Sequence, residues 1–365
     1  MILMNDFKAE PDGLRAAELV AVNRVLSSGW YVLGNEVHQF EQEWAKRCGA
    51  LYAVGVGNGM DAIEIGIRAL DIGQGDEVIT TPMTAFATVL AIIRAGATPV
   101  LADIDPTTGL LDPDSVERCL SPHTRAVLLV HLYGQVRHMD RWLAFCKQHG
   151  IALLEDCAQS HLAQWDGVVA GNFGRFGAYS FYPTKNLGAL GDAGALVSND
   201  SALSERAAVL RNYGQSARYH HTELGLNSRL DELQAALLKV RLAYLAEFTS
   251  RRQELAKVYR EQISTPQVGM LAPPAQAVSH VYHLFVVICA ARERLAQHLR
   301  DRGVETYVHY PVPVHRQPPC QGVRCDPTGL AATERHAATC LSLPCHPQMS
   351  DADLATVIEA INDFT

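Results

Sequence analysis

Four short apolar runs, Glu77 to Thr81, Thr98 to Ala102, Ala126 to His131 and Ile151 to Glu155, recur with a helical pattern between each pair, and no other feature restricts the fold as much. The intervening helices are expected near Ala85 to Ala95, Asp112 to Cys119 and Met139 to His149. None of the runs alternates strictly between apolar and polar residues, which is the pattern of a strand covered on both faces. Repetition of strand and helix in this order builds a largely parallel sheet with helices on both sides. Ligand sites in such sheets open beyond the carboxyl ends of the strands. That rule gathers Gly59, Met60, Asp103, Asp105, His131, Asp156, Gln159 and His161 around one crevice.

With 365 residues the chain exceeds what a single core usually fills, so a smaller second domain is expected. Residues 13–248 are expected to form the large α/β domain and residues 249–365 the small one, with residues 1–12 packed nearby. A nearly continuous helix from Leu233 to about Gln262, loosened around Phe248-Thr-Ser250, is the expected arm between them. Prolines between Pro266 and Pro274 punctuate the chain. After them come an expected strand from Tyr282 to Cys289, a helix from Ala291 to Arg302, a short strand from Val304 to Tyr307 and a last helix opening at Ser350.

The formal net charge is −8 and no Lys/Arg-rich run occurs, which speaks against nucleic acid and anionic membranes as partners. The first residues, Met1-Ile-Leu-Met-Asn-Asp, carry neither a basic region nor a sustained apolar one, so no signal peptide is expected. Nine cysteines, an odd number, are scattered through expected helices and strands; reduced thiols in a cytoplasm fit better than a disulfide framework. Neither Cys320 with Cys325 nor Cys340 with Cys345 and His346 has zinc-ligand spacing, and no metal is expected.

Two stretches carry chemistry. Tyr52 to Val56 reads as a strand, and Gly57-Asn-Gly-Met-Asp-Ala62 turns it into a helix, so free N–H groups and the positive helix end converge on a cup for a phosphate. The lettering departs from G-x-G-x-x-G, and no acidic residue follows where a dinucleotide ribose needs one. The second stretch, Phe176 to Gly194, runs from one buried strand to another through a loop of glycines and hydroxyls around Lys185. Lysine in such a loop either caps a hairpin or presents a desolvated amine, the form that Schiff-base chemistry requires. Asp156 ends the strand Ile-Ala-Leu-Leu. It is either an ordinary polar strand end or a buried carboxylate, and a buried carboxylate needs a cationic partner such as a pyridinium nitrogen. Further along, Asn227 or Ser228 is expected to cap a long helix with Asp231 or Glu232 in its first turn.

Taken together, Gly57-Asn-Gly-Met-Asp-Ala62, Glu155-Asp-Cys-Ala-Gln-Ser-His161, Ser180-Phe-Tyr-Pro-Thr-Lys-Asn-Leu-Gly-Ala-Leu-Gly-Asp192, Tyr219-His-His221, Asn227-Ser-Arg-Leu-Asp-Glu-Leu-Gln234 and His309-Tyr-Pro-Val-Pro313 resemble, in order and spacing, the DegT/DnrJ/EryC1/StrS sugar aminotransferases. The resemblance runs from about Gly29 to Phe364. It implies the type I fold of pyridoxal-phosphate-dependent transferases: a mixed, mostly parallel sheet with helices on both faces and a smaller α+β C-terminal domain. It further implies pyridoxal 5'-phosphate as cofactor and a homodimer with shared active sites. By position, Lys185 resembles the Schiff-base lysine, Asp156 the partner of the pyridine nitrogen and Gln159 the residue near the cofactor's phenolic oxygen. Gly59, Met60 and Ser180 correspond to phosphate contacts, joined by Asn227 from the second subunit. The place of a ring-stacking aromatic falls on Ala85, with Phe86 beside it.

For substrate, the resemblance implies Tyr182, Tyr219, His220, His221, Arg229, Tyr307, His309 and Tyr310. Trp30 and Tyr31, between glycines, either pack on the core or meet a ligand. The Tyr219-His-His221 and His309-Tyr-Pro311 phrases are most similar to enzymes that aminate C3 of a dTDP-linked 3-keto-6-deoxyhexose with L-glutamate; amination at C4 of a 4-keto isomer is the alternative. A dehydrating branch of the family carries histidine in place of the lysine, and Lys185 sets this chain apart from it.

Overall fold

The computed structural model describes residues 1–365. Its centre is a seven-stranded sheet of β1 (Tyr52–Val56), β2 (Glu77–Thr80), β3 (Thr98–Leu101), β4 (Thr124–Val130), β5 (Ala152–Asp156), β6 (Gly177–Ser180) and β7 (Gly194–Ser198), in the spatial order β1-β7-β6-β5-β4-β2-β3. Only β7 runs against the others, pairing antiparallel with both β1 and β6. The pairs β2–β3, β2–β4, β4–β5 and β5–β6 are parallel, which agrees with the largely parallel sheet expected from the alternating pattern. β6 and β7 are joined without a helix, so β7 turns back beside β6 and the connecting loop, which holds Lys185, stays at the carboxyl end of β6.

Helices cover both faces: α1 (Asp12–Ser28), α2 (Asn35–Cys48), α3 (Gly59–Ala69), α4 (Phe86–Arg94), α5 (Pro113–Cys119), α6 (Met139–His149), α7 (Ser201–Leu210) and α8 (Glu232–Leu242). Two apolar cores result. One packs Phe40 and Trp44 of α2 with Ile79, Val127 and Tyr179, and the other packs Ile63, Ile65 and Ile67 of α3 with Val54, Leu128 and Leu196. The chain then forms α9 (Leu245–Gln262), α10 (Arg292–Asp301), α11 (Ala331–Thr339) and α12 (Asp351–Asn362). A small antiparallel sheet carries β10 (Gly269–Met270), β11 (Phe285–Ile288) and β12 (Cys340–Leu343); β8 (Gln215–Ala217) and β9 (His220–His221) form a separate hairpin earlier in the chain. Leu255 and Tyr259 of α9 enter a third core with Phe285, Leu343 and Ile361.

Several expectations need correction. The long helix breaks at Ala243–Tyr244 rather than at Phe248-Thr-Ser250, which lies inside α9. The break comes where the buried face changes partner, from α1 and α2 to the third core, and tertiary packing there outweighs local propensity. The segment from Val304 to Tyr307 forms no strand; Val304 bridges Ile2 and Tyr307 bridges Ser342 singly. Neither Asn227 nor Ser228 caps α8, which begins only at Glu232. Ser228 Oγ instead accepts the Gly57 N–H at 3.0 Å, and Asn227 bridges Asn212.

Glu232 has an assignment that local reading does not reach. Helix α2 lacks a side-chain cap at Gly34, and the buried Glu232 carboxylate supplies one from α8. It accepts N–H groups of Gly34, Glu36 and Val37 at 2.8, 2.9 and 2.9 Å, the donors that a helix start leaves unpaired. A Cβ on Gly34 would lie 2.8 Å from Glu232 Oε2, so glycine is what admits the carboxylate. Glu232→Ala is expected to lower the unfolding free energy by about 3 kcal/mol, since buried donors lose a charged acceptor. Urea denaturation measures this, and Glu232→Gln should recover part of the loss. An Ala variant as stable as the parent would refute the cap.

All nine cysteines are unpaired, and no helix is long and apolar enough to cross a membrane.

Candidate active site

At the carboxyl end of the sheet, Asp156 closes β5 and is buried. Its Oδ1 accepts the Ala158 N–H at 3.0 Å and its Oδ2 accepts the Thr88 hydroxyl at 2.8 Å. Burial raises its pKa above the ordinary 3.8, against the pull of those two donors and of the Lys185 charge. Lys185, in the loop after β6, is held by its N–H bond to the Tyr182 carbonyl at 2.8 Å. Desolvation brings its amine from the ordinary 10.5 to about 8, with Asp156 acting in the opposite sense. A lysine near neutrality beside a buried carboxylate is a site in which a proton moves easily.

The helix start after β1 forms as expected. Asn58 caps α3, its side chain accepting the Asp61 N–H at 2.8 Å, and its carbonyl accepts the Ala62 N–H. Gly59 and Met60, the first two helical positions, keep N–H groups with no partner inside the helix. A Cβ on Gly59 would sit 2.7 Å from Ser180 Cβ, so α3 and the end of β6 meet only because that side chain is missing. Two free donors, a hydroxyl and a helix N-terminus suit a phosphate dianion. Lys185 and Asp156 suit an aldehyde and a pyridine nitrogen, so the donor set fits pyridoxal phosphate.

Gln159 is locked on both sides: Oε1 accepts the Tyr133 N–H at 2.6 Å, and Nε2 donates to the Tyr310 hydroxyl at 3.2 Å. One Nε2 proton stays available toward the crevice. Tyr310 has its pKa pushed up to about 12 by burial and by the Asp156 charge. His309 shares a 2.9 Å bond between Nδ1 and Ser342 Oγ, and burial with the Lys185 charge lowers it to about 4. Both imidazole and phenol are therefore neutral at physiological pH.

Other candidates sit elsewhere. Phe86 packs against Val89, Leu101, Val314 and Cys320, so its ring is engaged in a satellite core, while Ala85 is the first residue before α4. Asp103 accepts the N–H groups of Ala332 and Thr333 and so holds the start of α11; Asp105 ties a turn through Thr107. His131 pairs with Glu155 at 2.9 Å. Cys157 lies beside that pair, but Glu155 also accepts from Gly171, Phe173 and Gly174, which occupies the carboxylate with backbone rather than metal. His161 sits among Trp44, Tyr179 and Phe181 and donates Nε2–H to the Ser180 carbonyl at 2.9 Å.

Most of the remaining candidates bond within their own segment. Trp30 Nε1 donates to the Val32 carbonyl and the Tyr307 hydroxyl to Glu305, whereas the Tyr31 backbone carbonyl accepts the Glu232 N–H of α8. Arg229 donates to Asn212 and lies over Tyr213, His220 meets Ser216 and His221 donates to the Tyr213 carbonyl. Tyr182, Asn227 and Tyr219 are exposed, Tyr219 by 81%.

Thr88 and Tyr133 escaped sequence reasoning. For Thr88 the signal was a hydroxyl among apolar residues in the first turn of the expected helix; Thr84 lies just before α4.

The sequence pattern of the DegT/DnrJ/EryC1/StrS aminotransferase family matches residues 13–362. The chain belongs to this family. The dTDP-3-amino-3,4,6-trideoxy-alpha-D-glucose transaminase of Streptomyces venezuelae is 43% identical over 360 residues, 98% of this chain and 95% of that protein. The dTDP-3-amino-3,6-dideoxy-alpha-D-galactopyranose transaminase of Aneurinibacillus thermoaerophilus is 44% identical over 344 residues, 94% of each. An X-ray structure of S. venezuelae DesV superposes with a TM-score of 0.95 at 43% identity, covering 100% of this chain and 97% of that one. As a DegT/DnrJ/EryC1/StrS aminotransferase, the protein is an enzyme that uses pyridoxal phosphate.

Proposed function

We propose that this enzyme moves the amino group of L-glutamate to the C3 keto carbon of a dTDP-linked 3-keto-6-deoxyhexose, producing a dTDP-3-amino-3,6-dideoxyhexose in two half-reactions. The observation that carries the reading is the desolvated Lys185 amine, brought to about 8, set beside the buried Asp156. Two relatives, 43% and 44% identical, are named for 3-amino deoxysugars on dTDP, which favours C3.

Residues expected to hold the cofactor are Lys185 at its aldehyde, Asp156 at its ring nitrogen, Gln159 at its phenolic oxygen, and Gly59, Met60 and Ser180 at its phosphate. When bound, it supplies an electron-withdrawing ring conjugated to the amino group being transferred. Asp156, as a carboxylate, keeps that ring nitrogen protonated by pairing with its charge. Lys185 Nζ takes the α proton from glutamate and would return it two bonds away, on the far side of the transferred nitrogen, which one tethered amine achieves because it reaches both positions. Water supplies the keto oxygen of the departing 2-oxoglutarate while the amino group stays in the site; the keto sugar then gives up its oxygen as water and runs the same proton movements in reverse. His309 and Tyr310, neutral and beside Lys185 and Asp156, offer hydrogen bonds to the sugar without adding charge. Tyr182, Tyr219, His220, His221, Arg229 and Tyr307 are proposed to meet the nucleotide.

A homodimer is part of the proposal. Trp30, Tyr31, Tyr182, Tyr213 and Tyr219 are each exposed large aromatic residues, which a second subunit would cover. That subunit would also bring Asn227 toward the phosphate.

Product NMR tests the carbon. With L-glutamate and the 3-keto substrate, formation of 2-oxoglutarate and a 3-amino sugar is expected. Efficient amination of the 4-keto isomer alone would overturn C3 and establish the C4 alternative.

A further inference from the structure

Asp156 sees several charged or titratable groups, and one uncharged contact among them acts on it directly. Lys185 faces it from the loop after β6, His131 from the end of β4, Tyr310 from the small-domain side, and Cys157 follows it in the chain. His131 is already bonded to Glu155, and Tyr310 to Gln159. The side-chain hydrogen bond that Asp156 receives comes from Thr88 of α4, a residue 1% exposed.

That bond has a direction. Thr88 has one hydroxyl proton, and at 2.8 Å it goes to Asp156 Oδ2. The 2.8 Å contact between Thr84 Oγ1 and Thr88 Oγ1 must then carry the Thr84 proton toward Thr88. Two hydroxyls pointing the same way toward a carboxylate polarise one another and favour its ionised form. With Ala158 N–H on Oδ1 and Thr88 on Oδ2, each oxygen keeps a further lone pair for a third donor.

We propose that Thr88 is a positioning residue: backed by Thr84, its hydroxyl holds the Asp156 side chain in one orientation and keeps it ionised for the cofactor's ring nitrogen. The inference rests on the role proposed above for Asp156. Thr88 touches neither cofactor nor substrate and acts through the carboxylate alone.

The test uses cofactor-free protein labelled with carboxyl-13C aspartate, with the Asp156 resonance identified by its loss in Asp156→Asn. In Thr88→Val, which keeps the shape and removes the hydroxyl, the ionisation midpoint of Asp156 is expected to rise by about one pH unit, as loss of a hydrogen bond to a charged group requires. Thr88→Ser should return it to the parent value, and Thr84→Val, one bond further out, should move it upward by less. In cofactor-loaded enzyme, the half-reaction with glutamate should slow about tenfold in Thr88→Val, equivalent to 1.4 kcal/mol, and recover in Thr88→Ser.

An unmoved midpoint in Thr88→Val, or a Ser variant displaced as far as the Val variant, overturns the relay while leaving the role of Asp156 standing. Parent-like half-reaction rates in Asp156→Asn overturn that role instead, and with it the use proposed for Thr88. If Thr88→Val fails to fold, Thr84→Val decides by the same resonance: an upward shift supports the relay, and none refutes it.

Discussion

Replacing Lys185 with alanine is expected to cut amino transfer by about 10²- to 10⁴-fold, because the general base and acid of both half-reactions is removed together with the covalent attachment. Borohydride reduction followed by peptide mapping should place a pyridoxyl adduct on the Lys185 peptide of the parent protein and nowhere in the variant. An adduct on a different lysine would refute the assignment. The variant should also show an effect on stability whose sign follows from burial. In the folded, cofactor-free protein the amine binds its proton more weakly than in the unfolded chain, with a pKa of about 8 against 10.5. The charged amine therefore opposes folding at neutral pH, and parent stability rises between about pH 8 and 10.5 as the proton comes off. Lys185→Ala lacks this titration, so its melting temperature relative to the parent is expected to be most favourable below pH 8 and to lose ground above it.

Asp156→Asn should slow both half-reactions by about a hundred- to a thousandfold while leaving the fold intact. The surroundings can accept the amide. Ala158 N–H still finds an oxygen, and Thr88 can turn its hydroxyl to accept from the new Nδ2 while donating back toward Thr84. What disappears is the negative charge beside the ring nitrogen, and with it the stabilisation of that nitrogen in its protonated form. Single-turnover absorbance with glutamate measures the effect separately from sugar binding. Cofactor affinity should fall less than rate, since the phosphate contacts proposed at Gly59, Met60 and Ser180 are untouched. Rates within a few-fold of the parent would remove Asp156 from the mechanism.

What the sequence by itself determined about this protein is whatever depends on neighbours a few residues apart. Apolar runs spaced by helical patterns require strands that helices cover, and a largely parallel sheet follows, as the pairs β2–β3, β2–β4 and β4–β5 have it. Asn58 caps α3 and leaves Gly59 and Met60 free because a helix start dictates which of its own N–H groups lack partners. Lys185 and Asp156 are similarly legible, one as an amine in a loop between buried strands and the other as a carboxylate at a strand end. Tertiary structure alone decided the partners that lie far along the chain. Thr88 reaches Asp156 across 68 positions, Glu232 caps α2 across nearly 200, and Asp103 holds α11 across 229, none of which leaves a periodic trace. The same long-range packing took Ser228 from the expected cap to Gly57, moved the helix break to Ala243–Tyr244 and buried Phe86 among Val89, Leu101, Val314 and Cys320. A polar group leaving water takes whichever donor or acceptor the completed fold brings within 3 Å, and that choice is made by packing, which local propensity does not encode.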